Sequence, residues 1–529
     1  SFDRLGPLTE ALSDPKRPKA VHDAKPLLRA LLDAGMDLVG VEFDTMLAAF
    51  VINPDAGRQE LSDLAGRVLG LEIAAASDGG AAAAQGTLDF SGGGGPDLEG
   101  AARRATAILR LVEPLREQLA ARGGERLFAD VELPLVRVLA RMEQSGIAVD
   151  RDYLEELGES LRDRLATLEK DIYQAAGEPF NINSTLQLRE VLYERLGLPV
   201  QKKTAKGQPS TDAATLQKLA DQHPVVEHLL RYRELEKLRS TYVDGLLPLI
   251  AGDGRIHCIF NQSGAATGRI SSEQPNMQNI PVRSEEGRTI RRAFVAAPGH
   301  RFVVADYSQI ELRILAHMCR DEALVAAFRD GHDIHTETAR RVFGVSAAGV
   351  TNEMRRRAKT INFGLLYGME AYGLAQRLEI PQEEAREQMA AYFAQFPGVE
   401  DYMSSIVVEA RNRGYTETIM GRRRYLPELV SGNFRERQAA ERMALNAPIQ
   451  GSAADIIKQA MIVLDTALDE YEAAMLLQVH DELVIEAPDD RAAAVADQVR
   501  TAMEGVVTLE VPLVADVVIA SNLAEAKGS

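Results

Sequence analysis

Two apolar, strand-like segments that carry carboxylates and lie far apart in the chain constrain the fold more than any other feature of the sequence. The first, FVVAD, covers residues 302–306 and passes directly into the helical pattern of SQIELRIL. The second, LLQVHDELVIEA, covers residues 476–487 and has the pattern of a hairpin with charged residues at its bend. A mostly helical pattern fills the interval between them. We therefore predict one α/β unit that carries a large helical insertion.

The length of the chain and the changes in its pattern predict several domains. A chain of 529 residues is too long for one core, and typical domain sizes predict three or four globular units. Residues 1–130 have the pattern of a small α/β unit, with a strand-like stretch at 38–43 and a low-complexity stretch at 74–96 that predicts a mobile surface loop. Residues 131–250 have apolar residues at helical spacing, which predicts a domain of long helices, and residues 201–211 predict a basic loop at its tip.

The composition predicts a soluble protein of the cytoplasm. Cys258 and Cys319 are the only cysteines, which argues against a disulfide framework and for a reducing compartment, and no CxxC or HExxH pattern indicates a zinc site. The start of the chain does not have the pattern of a secretory signal. Charges interrupt every apolar run well before the roughly 20 residues that a membrane helix requires. We therefore expect no membrane association.

The net charge and the distribution of charge give opposite indications about nucleic acids. A formal net charge of −18 discourages phosphate binding, which is mostly electrostatic. Basic residues nevertheless crowd into the windows Arg283–Arg292, Arg355–Lys359 and Arg422–Arg424, while much of the acid lies elsewhere. This pattern allows a basic groove on an acidic protein.

Asp306 and Asp481 form the first candidate site. Each stands at the end of an apolar strand-like segment, so we expect the two to share one acidic site on one sheet. Carboxylate oxygens suit Mg²⁺, and two such ions about 4 Å apart are the usual apparatus for displacement at phosphorus. Mn²⁺ could replace Mg²⁺. Taken alone, each carboxylate is equally well explained as a solvated residue or, for Asp306, as a helix cap.

The segment RRRAKTINFGLLYG supplies the second candidate site. Arg355, Lys359, Phe363 and Tyr367 follow one another at steps of four, and each step drifts by only about 40° around a helix. Two cations and two aromatic rings therefore share one helix face, and the cations could serve the phosphates of a substrate. For a helix that stands alone, an ordinary amphipathic helix with core aromatics and solvated cations is the favoured interpretation.

Six segments together resemble one family, the bacterial DNA polymerases I, which are family A DNA polymerases. DYSQIELR, RRRAKTINFGLLYG and QVHDELVIEAP resemble the three polymerase motifs of that family, in the same order and at similar spacing. The six segments cover residues 266–294, 306–313, 333–335, 355–368, 446–458 and 478–488. The likeness extends over essentially the whole chain. The chain is similar to the large, Klenow-type fragment without the upstream 5′-nuclease.

The resemblance implies a multidomain α/β fold, namely a right-hand polymerase with an N-terminal exonuclease-like domain of the RNase H type. The implied division is an exonuclease-like domain at 1–130, a thumb at 131–250, a palm at 251–312 and 437–529, and fingers at 313–436.

The resemblance also implies roles for single residues. Asp306 and Asp481 would bridge two Mg²⁺ ions, the carbonyl of Tyr307 would add a ligand, and Glu482 would be a secondary carboxylate near the metals. Lys359 would protonate the departing pyrophosphate. The residues implied to meet the incoming nucleotide are Gln309, Glu311, His335, Arg355, Lys359, Phe363 and Tyr367. The residues implied to contact primer and template are Arg269, Asn446, Gln450 and His480.

Two of these residues bear on the choice of sugar. Glu311 would lie beneath the 2′ position of the incoming sugar and exclude a ribonucleotide sterically, and Tyr367 would close the pocket beside the templating base.

The implied activity is therefore template-directed extension of a DNA primer by dNTPs through two-metal nucleotidyl transfer, in repair, gap filling or replication. We expect a monomer that acts on primer–template DNA in the cytoplasm, in association with the nucleoid.

Two rival functions follow from the same residues. A single-subunit RNA polymerase or another two-metal nucleotidyl transferase could share the carboxylates and the cationic helix, but Glu311 with Tyr367 argues against it. A catalytically dead DNA-binding scaffold could retain the fold. Loss of a metal carboxylate would indicate such a scaffold, and both Asp306 and Asp481 are present.

The N-terminal domain is predicted not to proofread. A 3′–5′ exonuclease site of this type uses a DxE, a middle aspartate and a YxxxD. The chain starts too late for a convincing DxE, and Asp44 matches the middle aspartate. Where the YxxxD should fall, Gly100 replaces the tyrosine and Arg104 replaces the aspartate. Because one carboxylate cannot hold two ions, we interpret Asp44 as a surface or cap residue.

Overall fold

The computed structural model describes residues 6–73, 98–281 and 285–526, and these form two compact units. The larger unit comprises Ser1–Ser145, Ile259–Glu273 and Val303–Ile519, and the smaller unit comprises Gly146–Cys258, Gln274–Phe302 and Ala520–Ser529. The loop predicted at 74–96 lies outside the described residues. None of the helices in the described ranges is both long and apolar enough to span a membrane.

The N-terminal part of the larger unit is a small α/β structure. Its two strands are β1 (Lys19–Val21) and β2 (Val41–Asp44), which pair in parallel. The strand predicted at 38–43 thus begins three residues later than expected. The helices are α1 (Gly6–Ser13), α2 (Ala24–Asp33), α3 (Thr45–Ile52), α4 (Leu61–Leu69), α5 (Leu98–Ala121), α6 (Glu125–Leu127) and α7 (Leu133–Ser145), with a π-helical turn at Phe128–Glu132 between the last two.

One hydrophobic core joins this α/β structure to the rest of the larger unit. Helix α3 is buried along its whole length, and Phe43 meets Phe128 with ring centroids 5.0 Å apart. The partly buried Met420 and Ile462, which come from the distant C-terminal half, pack against the same core. The N-terminal structure is therefore an integral layer of the larger unit, because its apolar side chains are buried against later segments.

The smaller unit is built from helices, as predicted for most of residues 131–250. Its helices are α8 (Arg151–Ala176), α9 (Thr185–Arg189), α10 (Ala213–Gln217), α11 (Pro224–Lys237) and α12 (Glu285–Arg292). The antiparallel strands β3 (Ile147–Ala148) and β4 (Arg255–Ile256) pair with each other. Asp150 caps α8 and Ser184 caps α9 through their side-chain oxygens. Fully buried Ile172, Leu188 and Leu229 belong to the core beneath these helices.

The predicted α/β unit with its helical insertion occupies the rest of the larger unit. A short hairpin is formed by β5 (Ile259–Asn261) and β6 (Ser271–Glu273), and the central sheet has the order β10 (Ala474–Val479), β11 (Glu482–Pro488), β7 (His300–Tyr307) and β12 (Ala515–Ala520). Strands β10 and β11 form the predicted antiparallel hairpin.

The insertion between β7 and β10 is almost entirely helical. Its helices are α13 (Ile310–Cys319), α14 (Glu322–Arg329), α15 (Ile334–Phe343), α16 (Asn352–Leu366), α17 (Ala371–Leu378), α18 (Gln382–Gln395), α19 (Pro397–Arg413) and α20 (Phe434–Asp469). A hairpin of β8 (Tyr415–Glu417) and β9 (Arg423–Tyr425) precedes α20, and α21 (Ala492–Gly505) follows the sheet.

Candidate active site

The predicted carboxylates meet where two central strands end. Asp306 is the penultimate residue of β7, and Asp481 stands in the bend between β10 and β11. The backbone N–H of Tyr307 donates to the carbonyl oxygen of Asp481 at 3.1 Å, which places the two segments side by side. Both aspartates are half-buried, whereas Glu482 is buried. The structure therefore brings the segments of the two aspartates together, and their sharing of one acidic site stays a prediction.

Asp306 and Asp481 suit the open coordination that is common for Mg²⁺ in proteins. In the described parts of the chain, no three His, Cys, Asp or Glu side chains form a group that could hold a metal ion. Asp306 and Asp481 are thus not part of a closed protein cage. Mg²⁺ commonly binds through one or two carboxylates and completes its shell with water and substrate phosphates. Two half-buried carboxylates that solvent can reach suit that mode of binding.

Helix α16 confirms the helical face predicted from the steps of four. Arg355, Lys359 and Phe363 lie within the helix, and Tyr367 is its C-cap residue. The rings of Phe363 and Tyr367 are stacked, with centroids 6.4 Å apart and planes 30° apart. Arg355 and Lys359 are exposed. The face therefore presents cations at one end and aromatic rings at the other.

Arg355 is held in place by a carboxylate. Its Nε and Nη2 donate to Asp333 at 3.1 and 2.7 Å, and Asp333 also caps α15 by accepting from the N–H of Thr336. Partial burial opposes ionisation of this carboxyl, but the hydrogen bonds from Arg355 and Thr336 lower the pKa of Asp333 to about 2. The guanidinium is thereby anchored at one edge.

His335 is a buried, neutral donor. It is only 3% exposed, and burial lowers the pKa of its ring to about 4, although the Asp333 charge opposes this. Nδ1 accepts from the side-chain amide of Asn362 at 3.0 Å, and Thr338 donates to the Asn362 carbonyl at 3.2 Å. In this arrangement the ring proton is on Nε2. Asn362 and Thr338 were not predicted from the sequence, although an asparagine in the middle of a helical pattern is a signal that could have identified Asn362.

Glu311 links the strand of Asp306 to helix α16. The hydroxyl of Tyr367 donates to Glu311 Oε2 at 2.6 Å, and Arg269 forms an ion pair with Oε1. The Glu311 side chain is 6% exposed. Burial and the Glu311 carboxylate both raise the pKa of the Tyr367 hydroxyl well above its usual range. Three residues that the sequence assigned to separate roles therefore form one hydrogen-bonded chain.

The other predicted contact residues are half-buried or exposed. Asn446 and Gln450 are neighbours on one face of α20 and are half-buried. His480 is exposed at the hairpin bend, with φ of 57°. Gln309 is half-buried and adopts a left-handed conformation immediately before α13. Their roles toward DNA and nucleotide stay predictions.

The basic window at 422–424 does not provide the cations for a groove. Arg422 is 3% exposed and is bound by buried carboxylates. Arg423 forms an ion pair with Glu417, and Arg424 forms one with Asp55. A run of three arginines in a sequence does not reveal that its first member turns inward, because the hairpin geometry that directs it is set by distant segments.

Asp44 is a cap residue, and the alternative of a surface residue is wrong. It is fully buried, and its carboxylate accepts from four backbone N–H groups, those of Asp23, Ala24, Met46 and Leu47, at 2.7–3.2 Å. Burial nevertheless raises the pKa of Asp44 to about 6. The carboxylate thus ties the start of α3 to the start of α2.

Two family matches cover most of the chain. Residues 151–525 match DNA polymerase family A, and residues 3–75 match the ribonuclease H-like domain of DNA polymerase I.

Similar proteins include the DNA polymerase I of Geobacillus stearothermophilus, which is 47% identical over 96% of this chain and 58% of the relative. DNA polymerase I of Mycobacterium tuberculosis is 48% identical over 95% of this chain and 56% of the relative. The thermostable DNA polymerase I of Thermus thermophilus is 51% identical over 82% of this chain and 53% of the relative. The chain thus spans a little more than half the length of these relatives.

A solved structure is similar over almost the whole chain. The POL domain of Pol1 from M. smegmatis, in complex with DNA primer-template and dNTP, has a TM-score of 0.90 and 44% sequence identity and covers 99% of this chain and 89% of that one. Together with the family matches, this likeness confirms the predicted fold class with its N-terminal RNase H-like domain. The boundaries predicted for palm, fingers and thumb stay predictions.

Proposed function

Because the chain belongs to DNA polymerase family A, we propose that it extends the 3′ end of a DNA primer with dNTPs in the order that a DNA template dictates. The observation that carries this proposal is the hydrogen bond between Glu311 and Tyr367. It joins the segment that carries Asp306 to the helix that carries Arg355 and Lys359. This link supports a site that combines acidic, cationic and aromatic groups, as nucleotidyl transfer requires.

The reaction forms a bond between the 3′-hydroxyl oxygen of the primer and the α-phosphorus of the dNTP, and pyrophosphate leaves. Two Mg²⁺ ions held by Asp306, Asp481 and the Tyr307 carbonyl, with Mn²⁺ as an alternative, would activate the hydroxyl and stabilise the negative charge that develops. Glu482 supports this acidic site from its buried position.

The cations of the helical insertion bind the triphosphate. Lys359 is exposed and has no ion-pair partner among the described residues, so its ammonium group is available to a phosphate and can donate a proton to the departing pyrophosphate. Arg355 is fixed at one edge by Asp333 and presents its remaining N–H groups. His335 adds a neutral Nε2 donor, so its contact does not depend on ionisation near neutral pH.

The sugar and base of the incoming nucleotide meet the aromatic end of the same face. Phe363 stacks on the sugar, Tyr367 closes the pocket beside the templating base, and Gln309 contributes a further polar contact. Glu311 fills the space that a 2′-hydroxyl would need. Since both oxygens of this carboxylate are held, the side chain cannot move aside to admit a 2′-hydroxyl.

Primer and template are contacted by Arg269, Asn446, Gln450 and His480. Residues 251–312 and 437–529 constitute the palm, 313–436 the fingers and 131–250 the thumb. The protein acts as a monomer in repair, gap filling or replication.

The N-terminal domain does not proofread. Asp44 accepts four backbone hydrogen bonds and is fully buried, so its oxygens are not available to a metal ion. Gly100 and Arg104 lie on α5 and supply no further carboxylate. The domain serves as structural support.

Primer extension tests the proposal. The protein is mixed with a labelled primer annealed to a longer template, with Mg²⁺ and with either dNTPs or ribonucleoside triphosphates. We expect dNTP-dependent extension to the end of the template, far slower extension with ribonucleotides, and none in EDTA. Binding of primer–template without extension would indicate a DNA-binding scaffold. Preferential use of ribonucleotides would indicate an RNA polymerase. Either result would contradict the proposal.

A further inference from the structure

Four charged side chains form a closed cluster in the interior of the larger unit. Glu132 and Asp455 are 0% exposed, Lys458 is 0% exposed and Arg422 is 3% exposed. Arg422 donates to Asp455 Oδ1 from Nε at 2.9 Å and from Nη2 at 2.7 Å, and Nη2 also reaches Glu132. Lys458 donates to Glu132 at 2.8 Å. Two carboxylates and two cations balance, so the cluster carries no net charge.

The turn that precedes Arg269 packs directly on this cluster. Gly268 has φ of +82°, and a Cβ atom placed there would lie 2.5 Å from both Cζ and Nε of Arg422. The N–H of Gly268 closes the turn by donating to the carbonyl of Ala265 at 2.9 Å. At the other end of the same loop, the Gln262 amide donates to the carbonyl oxygen of Glu132 at 2.7 Å. Both ends of the loop therefore rest on members of the cluster.

Arg269 leads from this turn to the candidate active site. Its guanidinium pairs with Glu311, whose other oxygen accepts from Tyr367. A displacement of the turn would thus disturb the positions of both Glu311 and Tyr367. On the premise of the proposed function, we propose that Arg422 is a positioning residue, which fixes the 265–268 turn so that Arg269 reaches the primer end and Glu311 together.

The chemistry of the cluster favours positioning over simple stabilisation. Buried ion pairs often add little to stability compared with apolar residues of the same volume. Two hydrogen bonds from Nε and Nη2 to one oxygen of Asp455 nevertheless fix the plane of the Arg422 guanidinium. Arg422 presents a planar, fixed surface on which only a glycine fits. The ring of Phe50, in the N-terminal domain, lies 5.9 Å from the guanidinium carbon of Arg422. The N-terminal domain therefore contributes a contact to the positioning residue.

Two matched variants test this inference. Removing one charge alone would leave its partner buried and uncompensated, so each variant removes one cation and neutralises one anion. The test variant is Arg422→Met with Asp455→Asn. The control variant is Lys458→Met with Glu132→Gln, which also removes one cation and neutralises one anion but leaves Arg422 paired with Asp455 beneath Gly268. Each is also combined with Arg269→Met, and all proteins are first shown to unfold cooperatively.

The kinetic readout is kcat/KM for addition of one dNTP to a matched primer. A misplacement of about 1 Å can cost about a hundredfold in rate, so the test variant and Arg269→Met should each lose about ten- to a hundredfold. The two changes should not add, because both remove the same contact. The control variant should extend at near the parent rate, and its effect should add to that of Arg269→Met. Test and control variants that behave alike would overturn the inference.

Hydrogen exchange gives a readout that does not depend on activity. The amides of residues 262–269 should exchange faster in the test variant than in the control. Equal exchange in both would refute a positioning role. If Arg269→Met alone leaves extension unchanged, the proposed contact of Arg269 with the primer is wrong. The exchange experiment still decides whether Arg422 fixes the turn, so the two failures can be distinguished.

Discussion

Replacing Glu311 by alanine should weaken discrimination against ribonucleotides, whereas Glu311→Gln should largely preserve it. The side chain is 6% exposed and is bound at one oxygen by Arg269 and at the other by Tyr367. A side chain fixed at two points cannot rotate away when a 2′-hydroxyl enters its space. Glutamine has nearly the same volume and retains an oxygen acceptor, so it should still fill that space, whereas alanine should leave it empty.

The size of the effect follows from the cost of overfilling a packed site. Forcing an additional heavy atom into such a site costs about 1–3 kcal/mol, which corresponds to about 5- to 150-fold in rate. Glu311→Ala should lower the ratio of kcat/KM for dATP over ATP by that factor. Loss of the buried acceptor for Tyr367 and Arg269 costs about 1–3 kcal/mol. This second cost applies to both nucleotides and therefore largely cancels in the ratio.

Single-turnover addition opposite a template thymine measures that ratio for the parent protein and both variants. Unchanged discrimination in Glu311→Ala would refute the steric argument. An equal loss in the alanine and glutamine variants would show that the negative charge, rather than the volume, selects the sugar.

Three further predictions concern the nucleotide pocket and the N-terminal domain. Phe363→Tyr should raise termination by dideoxynucleotides, because family resemblance implies that a hydroxyl at this position favours their acceptance, and sequencing-gel band intensities measure the change. His335 should titrate with a midpoint near pH 4 in NMR spectra of the free protein. Since the unfolded ring binds its proton below about pH 6.5, the contribution of this residue to stability is complete above that value and is lost as the pH falls toward 4. A titration midpoint near 6.5 would contradict the burial argument. With Mg²⁺ and no nucleotides, a primer with a 3′ mismatch should not shorten, and shortening that persists in Asp306→Ala would show that Asp44 belongs to an active exonuclease site.

The sequence predicts local structure well wherever periodicity and polar bends agree. Asp306 stands at a strand end and Asp481 in a hairpin bend because apolar strand residues lead up to both. The face of α16 follows from the spacing of Arg355, Lys359 and Phe363. These features depend on residues within about ten positions of each other, so a single sequence contains enough information to place them.

Contacts between distant segments were not predictable in the same way. The hydrogen bond of Asn362 to His335 and the ion pair of Arg355 with Asp333 join separate helices. For Asp44 the sequence left a surface residue and a cap equally open, because its burial depends on the loop that precedes α2. The inward direction of Arg422 likewise depends on Asp455 and Glu132, which lie far away in the chain.

The most direct test of the central claim is primer extension by Asp306→Ala and Asp481→Ala, with primer–template affinity measured in parallel. Both variants should lose nucleotide addition but bind DNA nearly as well as the parent, since affinity comes mainly from phosphate contacts elsewhere. Asp490→Ala is a suitable control, because Asp490 is exposed just beyond the opposite end of β11. It should extend primers normally. Extension by either test variant at near the parent rate would contradict the assignment of Asp306 and Asp481 as the metal-binding carboxylates of a DNA polymerase.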